Sequence, residues 1–143
     1  MPPIDVLVDA SVVIKWFHAE GESGVEAARA LLDRYRERQL GLYILDLTLY
    51  EVGNALLRGR GLAADRVSVV LSALGELVPR WVVRPVEWHL ALSIAEANSL
   101  TLYDAAYAAV AQARGGLLAT YDRALLAAGL GARPAAVLET VQT

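Results

Sequence analysis

The stretch IDVLVDASVVIKWF, residues 4–17, joins a short apolar, β-branched run directly to a helical pattern. Residues 4–9 have the composition of a strand buried on both faces of a parallel sheet, and Pro2 and Pro3 mark its beginning. Residues 12–17 predict a short helix. Asp9 is therefore expected at the carboxyl end of the first strand.

The rest of the chain alternates in the same way between short apolar runs and longer segments of helical period. Further strands are predicted at 42–45, 80–86 and 116–120, with a terminal strand or tail at 135–139. Helices are predicted from about residue 23 and over 48–59, 63–77, 87–98, 102–114 and 122–128. This alternation indicates an α/β fold whose parallel sheet carries helices on both faces.

Composition limits the classes of protein to consider. A chain of 143 residues suffices for one domain, and 56% hydrophobic residues with a mean hydropathy of +0.40 predict covered strands and an apolar patch for self-association. The absence of cysteine excludes disulfides, thiolate zinc sites and cysteine nucleophiles. A net charge of −3 gives no overall basic surface, so any nucleic-acid contact must be local or metal-assisted.

The amino-terminal segment predicts a cytoplasmic protein. No basic region precedes the first apolar run, and Asp5 and Asp9 interrupt it, so it does not have the pattern of a signal peptide. No stretch reaches the roughly 18 consecutive apolar residues of a membrane span. The lack of cysteine is compatible with a reducing compartment.

Four acidic residues from four separate segments are expected to meet at one edge of the sheet. Asp9 ends the first strand, and Asp122 follows the fourth. Glu51 lies near the start of the helix after the second strand, and Asp104 near the start of the helix before the fourth. Loops that leave the carboxyl ends of parallel strands converge on one edge, where a functional site is expected.

Helix capping is the simpler interpretation of each acid taken singly. Asp9 and Asp122 occupy N-cap positions, and Thr48-x-x-Glu51 and Thr101-x-x-Asp104 match a capping box, which contributes about 1 kcal/mol to a helix start. Two of the acids, however, lie in otherwise apolar helices, where an unpaired carboxylate is costly. Clustered carboxylates without an internal cation predict a divalent ion, Mg²⁺ or Mn²⁺.

Such a site favours hydrolysis of phosphodiester bonds by metal-activated water. One ion polarises a phosphoryl oxygen and lowers the pKa of a bound water, and a second stabilises the leaving oxygen. No protein nucleophile is needed. The sequence leaves two roles open for Glu51, that of a metal ligand and that of a base that positions the attacking water.

Four segments in order resemble the PIN-domain family, and within it the VapC-type toxin ribonucleases of prokaryotic toxin–antitoxin modules. They are VDASVVIKWF (8–17), YEVGNALLR (50–58), LYDAAYAAVA (102–111) and LATYDRAL (118–125). The resemblance covers nearly the whole chain and implies a single PIN domain over residues 1–143, with a three-layer α/β/α fold around a mainly parallel sheet. It also implies a Mg²⁺- or Mn²⁺-dependent endoribonuclease.

The resemblance assigns roles position by position. The catalytic and metal-binding positions match Asp9, Glu51, Asp104 and Asp122. Ser11 and Thr120 match hydroxyls that orient the acids, and Asn54 matches a polar residue one helical turn beyond the glutamate. The family further implies a homodimer and a small cognate antitoxin that obstructs the site and links the complex to operator DNA.

Arg58 and Arg60, which follow the Glu51 helix, are candidate contacts to RNA phosphates. The main alternative function is a catalytically weak PIN fold that acts through antitoxin pairing and transcriptional regulation, and the complete acidic set argues against it. A response-regulator domain needs adjacent acids after the first strand, and a haloacid-dehalogenase-like phosphatase needs an acid at the position of Ser11.

Overall fold

The computed structural model describes residues 2–141, and over this range the chain forms four strands and eight α-helices. In chain order they are β1 (Asp5–Val8), α1 (Ala10–Phe17), α2 (Val25–Arg36), β2 (Gly41–Leu45), α3 (Asp46–Asn54), α4 (Ala64–Leu77), β3 (Arg80–Trp81), α5 (Pro85–Asn98), α6 (Leu102–Ala113), β4 (Leu117–Ala119), α7 (Arg123–Ala127) and α8 (Pro134–Val141). A π-helical segment, Ala55–Gly59, continues α3 directly.

All four strands are parallel and lie in the order β3-β2-β1-β4. β1 is central, since it pairs with β2 on one side and with β4 on the other. Val6, Leu7 and Val8 have no exposed surface, as expected for a strand that is covered on both faces. The predicted parallel sheet is confirmed.

Alternation of side chains along β1 divides the core into two layers. Val6 and Val8 pack into a cluster with residues of α1, α2, α3, α4 and α8. Leu7 packs on the opposite face, with residues of α5, α6 and α7. Residues 105–111 of α6 are all buried, which accounts for the alanine-rich composition of this helix. The three-layer α/β/α arrangement is confirmed.

Two predicted strands are corrected. The segment 80–86 contributes only Arg80–Trp81 to the sheet, because α5 begins at Pro85. Proline is favourable at the first position of a helix, since the backbone N–H there has no partner within the helix. The segment 135–139 is not a strand but belongs to α8, and Val137 packs there on the first core cluster. The apolar residues of 135–139 pack on the core, and those of 82–86 are partly exposed, so neither stretch owes its composition to sheet pairing.

A buried ion pair that the sequence pattern did not indicate ties α5 to the end of α6. The carboxylate of Glu87, only 1% exposed, accepts hydrogen bonds from Nε and Nη2 of Arg114 at 2.8 and 2.9 Å. The guanidinium also donates to the carbonyl of Val82 and lies 4.8 Å from the ring centroid of Trp81. The hydrogen bond from Arg114 lowers the pKa of Glu87 despite its burial, so the pair remains charged.

Part of the high apolar content lies at the surface. Four exposed apolar side chains lie just before α5 and in its first half: Val82, Val86, Trp88 and Leu92. The self-association inferred from the composition stays a prediction. Within residues 2–141, no helix is long and apolar enough to cross a membrane.

Replacing Gly116 by alanine tests the close approach of the chain before β4 to β1. A Cβ at this position would lie 2.8 Å from the backbone oxygen of Asp5, which cannot move without disturbing β1. We expect the free energy of unfolding, measured by urea denaturation, to fall by about 1–3 kcal/mol. The control is Gly75→Ala in α4, where a Cβ meets no atom within 4 Å and helix propensity predicts a gain of about 0.5–1 kcal/mol. Equal effects of the two variants would contradict this account.

Candidate active site

The structure brings the four predicted acidic residues to one cavity at the carboxyl edge of the sheet. The cavity measures about 100 Å³ and is lined by Asp9, Ala10, Ser11, Glu51, Asp104, Tyr107 and Asp122. Strand register explains how the segments after β1 and β4 meet. Val8 pairs with Ala119, so the residues that follow them, Asp9 and Thr120, leave the sheet side by side. The other two acids reach the cavity from α3 and α6.

Hydroxyl groups on two segments hold the carboxylate of Asp9. Its Oδ1 accepts hydrogen bonds from the N–H and Oγ of Ser11 at 3.1 and 2.5 Å, and its Oδ2 accepts one from Oγ1 of Thr120 at 2.5 Å. In turn, Ser11 Oγ accepts from the N–H of Tyr121, and Thr120 Oγ1 accepts from the N–H of Asp122. Ser11 and Thr120 therefore both donate a hydrogen bond to the Asp9 carboxylate, and their role in orienting it stays a prediction.

Helix capping explains some of the acids but not Glu51. Asp9 caps α1, and Asp122 caps α7 through a 3.0 Å bond from the N–H of Leu125. The capping box proposed for Thr48 and Glu51 is wrong, because α3 begins earlier, at Asp46, and Thr48 is itself the third residue of the helix. The Glu51 carboxylate thus has no role at a helix end, and its place in the cavity needs another explanation.

Burial and neighbouring negative charge raise the pKa of Asp9, Glu51 and Asp104. Burial raises the pKa of Asp9 from 3.8 to about 6, with a further contribution from the charge of Asp122 and in spite of the hydrogen bonds that it accepts. Burial also raises the pKa of Glu51, and the charges of Asp9, Asp104 and Asp122 add to the effect. The pKa of Asp104 is raised by burial and then by Asp122. The cavity concentrates uncompensated negative charge.

The only lysine does not neutralise this charge. Nζ of Lys15 lies 3.6 Å from Glu22 and 4.8 Å from the ring centroid of Tyr121. Arg60 pairs with the same carboxylate, Glu22, at 3.0 Å. Neither cation is among the residues that line the acidic cavity. Among residues 2–141, no lysine or arginine side chain lines the cavity to compensate the charge of the four acids.

The donor set fits a hard divalent cation that keeps part of its water shell. Carboxylate oxygens are ligands that Mg²⁺ and Mn²⁺ prefer, and a cation would relieve the repulsion within the cavity. The site is not a closed cage, because among residues 2–141 no three acidic or histidine side chains are arranged to ligate one ion. The geometry suits an ion held by one or two carboxylates, with water completing its coordination.

One residue of the cavity, Tyr107, received no role from the sequence. Its hydroxyl donates a 2.6 Å hydrogen bond to Oε1 of Glu51 and lies 2.8 Å from Oγ1 of Thr48. The signal that could have identified it is its spacing: Tyr107 follows Asp104 by three residues and therefore shares its face of an otherwise alanine-rich helix.

Three other predicted residues lie outside the cavity. Asn54 is exposed and lines a different groove, together with Tyr50 and Leu57. Arg58 is exposed in the π-helical segment, and Arg60 pairs with Glu22. The structure therefore does not bring these three side chains together with the acids.

The α/β/α fold and the carboxylates that converge at the carboxyl edge of its parallel sheet are consistent with a PIN domain. The family model described as "PIN domain" matches residues 6–129, and the chain belongs to this family. Two curated relatives from Pyrobaculum aerophilum identify its branch as VapC. "Exonuclease VapC9" is 34% identical over 131 residues, covering 91% of this chain and 90% of the relative. "Ribonuclease VapC3" is 36% identical over 125 residues, covering 84% and 91%.

Solved structures share the fold. The crystal structure of PAE2754 from Pyrobaculum aerophilum is 29% identical, with a TM-score of 0.70 and coverage of 97% of this chain and 90% of that one. VapC20 of Mycobacterium tuberculosis, described as a sarcin-ricin loop cleaving toxin, is 19% identical, with a TM-score of 0.65 and coverage of 87% and 95%. A toxin–antitoxin complex from Klebsiella pneumoniae is 18% identical, with a TM-score of 0.61 and coverage of 90% and 97%.

Replacing Asp9 by asparagine is expected to change the pH dependence of stability. Because the pKa of Asp9 is raised from 3.8 to about 6 on folding, its contribution to the free energy of unfolding is fully present below the unfolded value and is lost as the pH rises through 6. This loss, on the order of 2–3 kcal/mol, should be absent from Asp9→Asn. Urea denaturation in chelator between pH 4 and 7 measures it.

The matched control for this experiment is Asp33→Asn, which makes the same chemical change at an exposed position of α2. Its stability profile should run parallel to that of the wild type. If Asp9→Asn also runs parallel, the raised pKa of the buried carboxyl is refuted.

Proposed function

We propose that this chain is a divalent-metal-dependent endoribonuclease and the toxin of a type II toxin–antitoxin module. The observation that carries the proposal is the convergence of Asp9, Glu51, Asp104 and Asp122 on one cavity that no cationic side chain lines. The printed names of the VapC relatives, an exonuclease and a ribonuclease, support nuclease chemistry. Only the first name specifies cleavage from an end, so the test below separates exonuclease from endonuclease activity.

The side chains of the cavity have different proposed roles. Asp9, Asp104 and Asp122 serve as the carboxylates that hold Mg²⁺ or Mn²⁺, directly or through water, and Ser11 and Thr120 keep Asp9 oriented. When bound, the ion supplies Lewis-acid activation of water and of the scissile phosphate. Glu51 serves either as a further ligand or as the base that positions the attacking water.

Charge explains why an RNA phosphate would need a bound cation in order to approach the acids of the cavity. The phosphodiester backbone is anionic, and the cavity presents several carboxylates to it. Without a cation, the two repel each other. A cation held by these carboxylates would therefore serve both the chemistry and the access of the substrate to the cavity.

The partners follow from the same proposal. We propose a cognate antitoxin protein, a homodimer, and DNA contact only through the antitoxin, all within the cytoplasm. The toxin–antitoxin complex among the structures of the same fold supports the antitoxin. Exposed apolar residues such as Val82 and Trp88 supply surface that a protein partner could cover.

A catalytically weak PIN fold that acts through antitoxin pairing is the second candidate. One observation favours it: within residues 2–141, no three acidic side chains are arranged to ligate one ion. A weak module and an efficient nuclease differ in a single measurable respect, which is the rate of RNA hydrolysis by the purified protein with Mg²⁺ or Mn²⁺.

We expect Asp9→Asn and Asp122→Asn each to lower metal-dependent cleavage by about 100-fold or more. Asparagine preserves the helix caps at both positions, so the fold is retained. The assay uses a circular RNA, which has no ends, beside a linear RNA of the same sequence, with Mn²⁺ or with chelator. Asp33→Asn should cleave at the wild-type rate.

Other results of the cleavage assay would support other functions. Cleavage of the linear RNA alone would make the protein an exonuclease. No metal-dependent cleavage of either RNA, with tight binding of an antitoxin, would favour the weak module. If Asp9→Asn cuts as fast as the wild type, the reaction does not use this cavity.

Arg58 is proposed as an RNA contact, since it is exposed next to α3 and forms no ion pair within the described part of the chain. In an Asp122→Asn background, Arg58→Ala should raise the Kd for single-stranded RNA about 3- to 10-fold and lower the salt dependence by roughly one counterion. Fluorescence anisotropy at several salt concentrations measures both. Arg36→Ala on α2 is the control, and an equal effect there would refute a local contact.

A further inference from the structure

We propose that Tyr107 is the positioning residue for Glu51, and that Thr48 fixes the direction in which the Tyr107 hydroxyl donates. The inference rests on the proposed function, because it concerns the same acidic cavity. It assigns a task to two buried hydroxyl groups that the proposed reaction does not otherwise use.

The polarity of the hydrogen bonds follows from the groups involved. The N–H of Leu45 can only donate, and it donates to Oγ1 of Thr48 at 3.0 Å. The carboxylate of Glu51 accepts the 2.6 Å hydrogen bond from the Tyr107 hydroxyl. Since the Tyr107 proton is committed to Glu51, the 2.8 Å contact between the two hydroxyls has Thr48 as donor and Tyr107 as acceptor. The chain of bonds runs in one direction from the backbone to the acid.

The two hydroxyl-bearing side chains are fixed by the core. Thr48 has no exposed surface, and Tyr107 is 1% exposed. Thr48 is anchored to the backbone at the end of β2, while Tyr107 lies in a stretch of α6 that is buried on every side. A buried ring in a helix otherwise rich in alanine needs no hydroxyl for packing, and burying one is costly unless it is bonded. The hydroxyl is therefore explained by the carboxylate that it holds.

The consequence for Glu51 is that its two oxygens are no longer equivalent. Oε1 is engaged by Tyr107, and Oε2 has no hydrogen-bond partner among the described residues. Glutamate is a flexible side chain that loses rotamer entropy when it is fixed, and a bond to a rigid donor supplies that constraint before any ligand arrives. Tyr107 thus presents one defined carboxylate oxygen to the cavity.

The first test uses the metal-free protein and needs no activity. A buried hydroxyl proton bonded to a carboxylate exchanges slowly and gives a downfield proton resonance in NMR spectra. Tyr107→Phe should remove this resonance, and both Glu51→Gln and Thr48→Val should shift it. A Tyr107 resonance that does not respond to Glu51→Gln would overturn the inference, whatever the protein does to RNA.

The second test measures Mn²⁺ binding by electron paramagnetic resonance. If Glu51 is a metal ligand, Tyr107→Phe should raise the Kd for Mn²⁺ about 10-fold or more, as is typical when the partner of a metal-site carboxylate is removed. If Glu51 is the base instead, the Kd should stay unchanged and the loss should appear in kcat alone. In a Glu51→Gln background, the same change should add less than about twofold, because Tyr107 acts through Glu51. Full additivity of the two substitutions would show a merely structural role and overturn the inference.

The third test separates positioning from folding in the cleavage assay. At a Mn²⁺ concentration that saturates both proteins, Tyr107→Phe should lower kcat about 10-fold with little change in the KM for RNA, whereas loss of folded protein would lower the active fraction alone. Thr48→Ser, which keeps the hydroxyl, should retain wild-type Mn²⁺ affinity and kcat, while Thr48→Val should lose part of both. If Tyr107→Phe does not fold, the comparison of Thr48→Ser with Thr48→Val tests the inference in its place.

Tyr43→Phe is the matched control, since Tyr43 packs on the same core cluster, stacks on Trp81 and does not line the acidic cavity. It should leave Mn²⁺ affinity and kcat unchanged. A wild-type protein that shows the hydroxyl resonance and its response to Glu51→Gln but cuts no RNA would refute the proposed nuclease while leaving the positioning of Glu51 intact. Wild-type values for Tyr107→Phe in a protein that does cut RNA would refute the positioning alone.

Discussion

Repulsion among four carboxylates at one edge of a parallel sheet is the constraint around which the structure is organised. Asp9, Glu51, Asp104 and Asp122 share a small cavity, and burial together with neighbouring charge raises the pKa of Asp9 to about 6. Such a cluster destabilises the native state in the absence of a cation. It persists because the hydrophobic layers on the two sides of β1 hold the segments that carry the acids.

Two different sets of contacts, each called a device below, hold Asp9 and Glu51 in place. On the sheet side, the pairing of Val8 with Ala119 sets Asp9 beside Thr120, and hydroxyl donors complete the bonds to the carboxylate. On the helix side, Glu51 is not a cap and depends on Tyr107 for its direction. The first device is rigid because it is built into strand register. The second depends on how α3 and α6 pack, so its geometry is set by the core.

Predictions from the sequence were correct for local features of the chain. They were wrong where a local pattern was compatible with a second structure. Asp9 follows a buried β-branched run, and the common direction of parallel strands then predicted that the acids meet at the carboxyl edge. The segment 80–86 is rich in valine, yet Pro85 begins a helix there, and Val82 is 80% exposed. The apparent capping box at Thr48 failed because the helix begins two residues earlier, a boundary that depends on where β2 ends.

The sequence alone determined the α/β class, the order of the elements up to α7 and the four acidic positions, because hydrophobic period and residue type are local properties. Only the tertiary structure decided which side chains touch. Tyr107 and Glu51 are 56 residues apart, and Arg114 and Glu87 are 27 apart, so neither bond has a periodic signature in the sequence. The same holds for Asn54, which lies in the predicted helix but faces another groove. Contacts of this kind depend on how the helices pack across the sheet, which no single segment specifies.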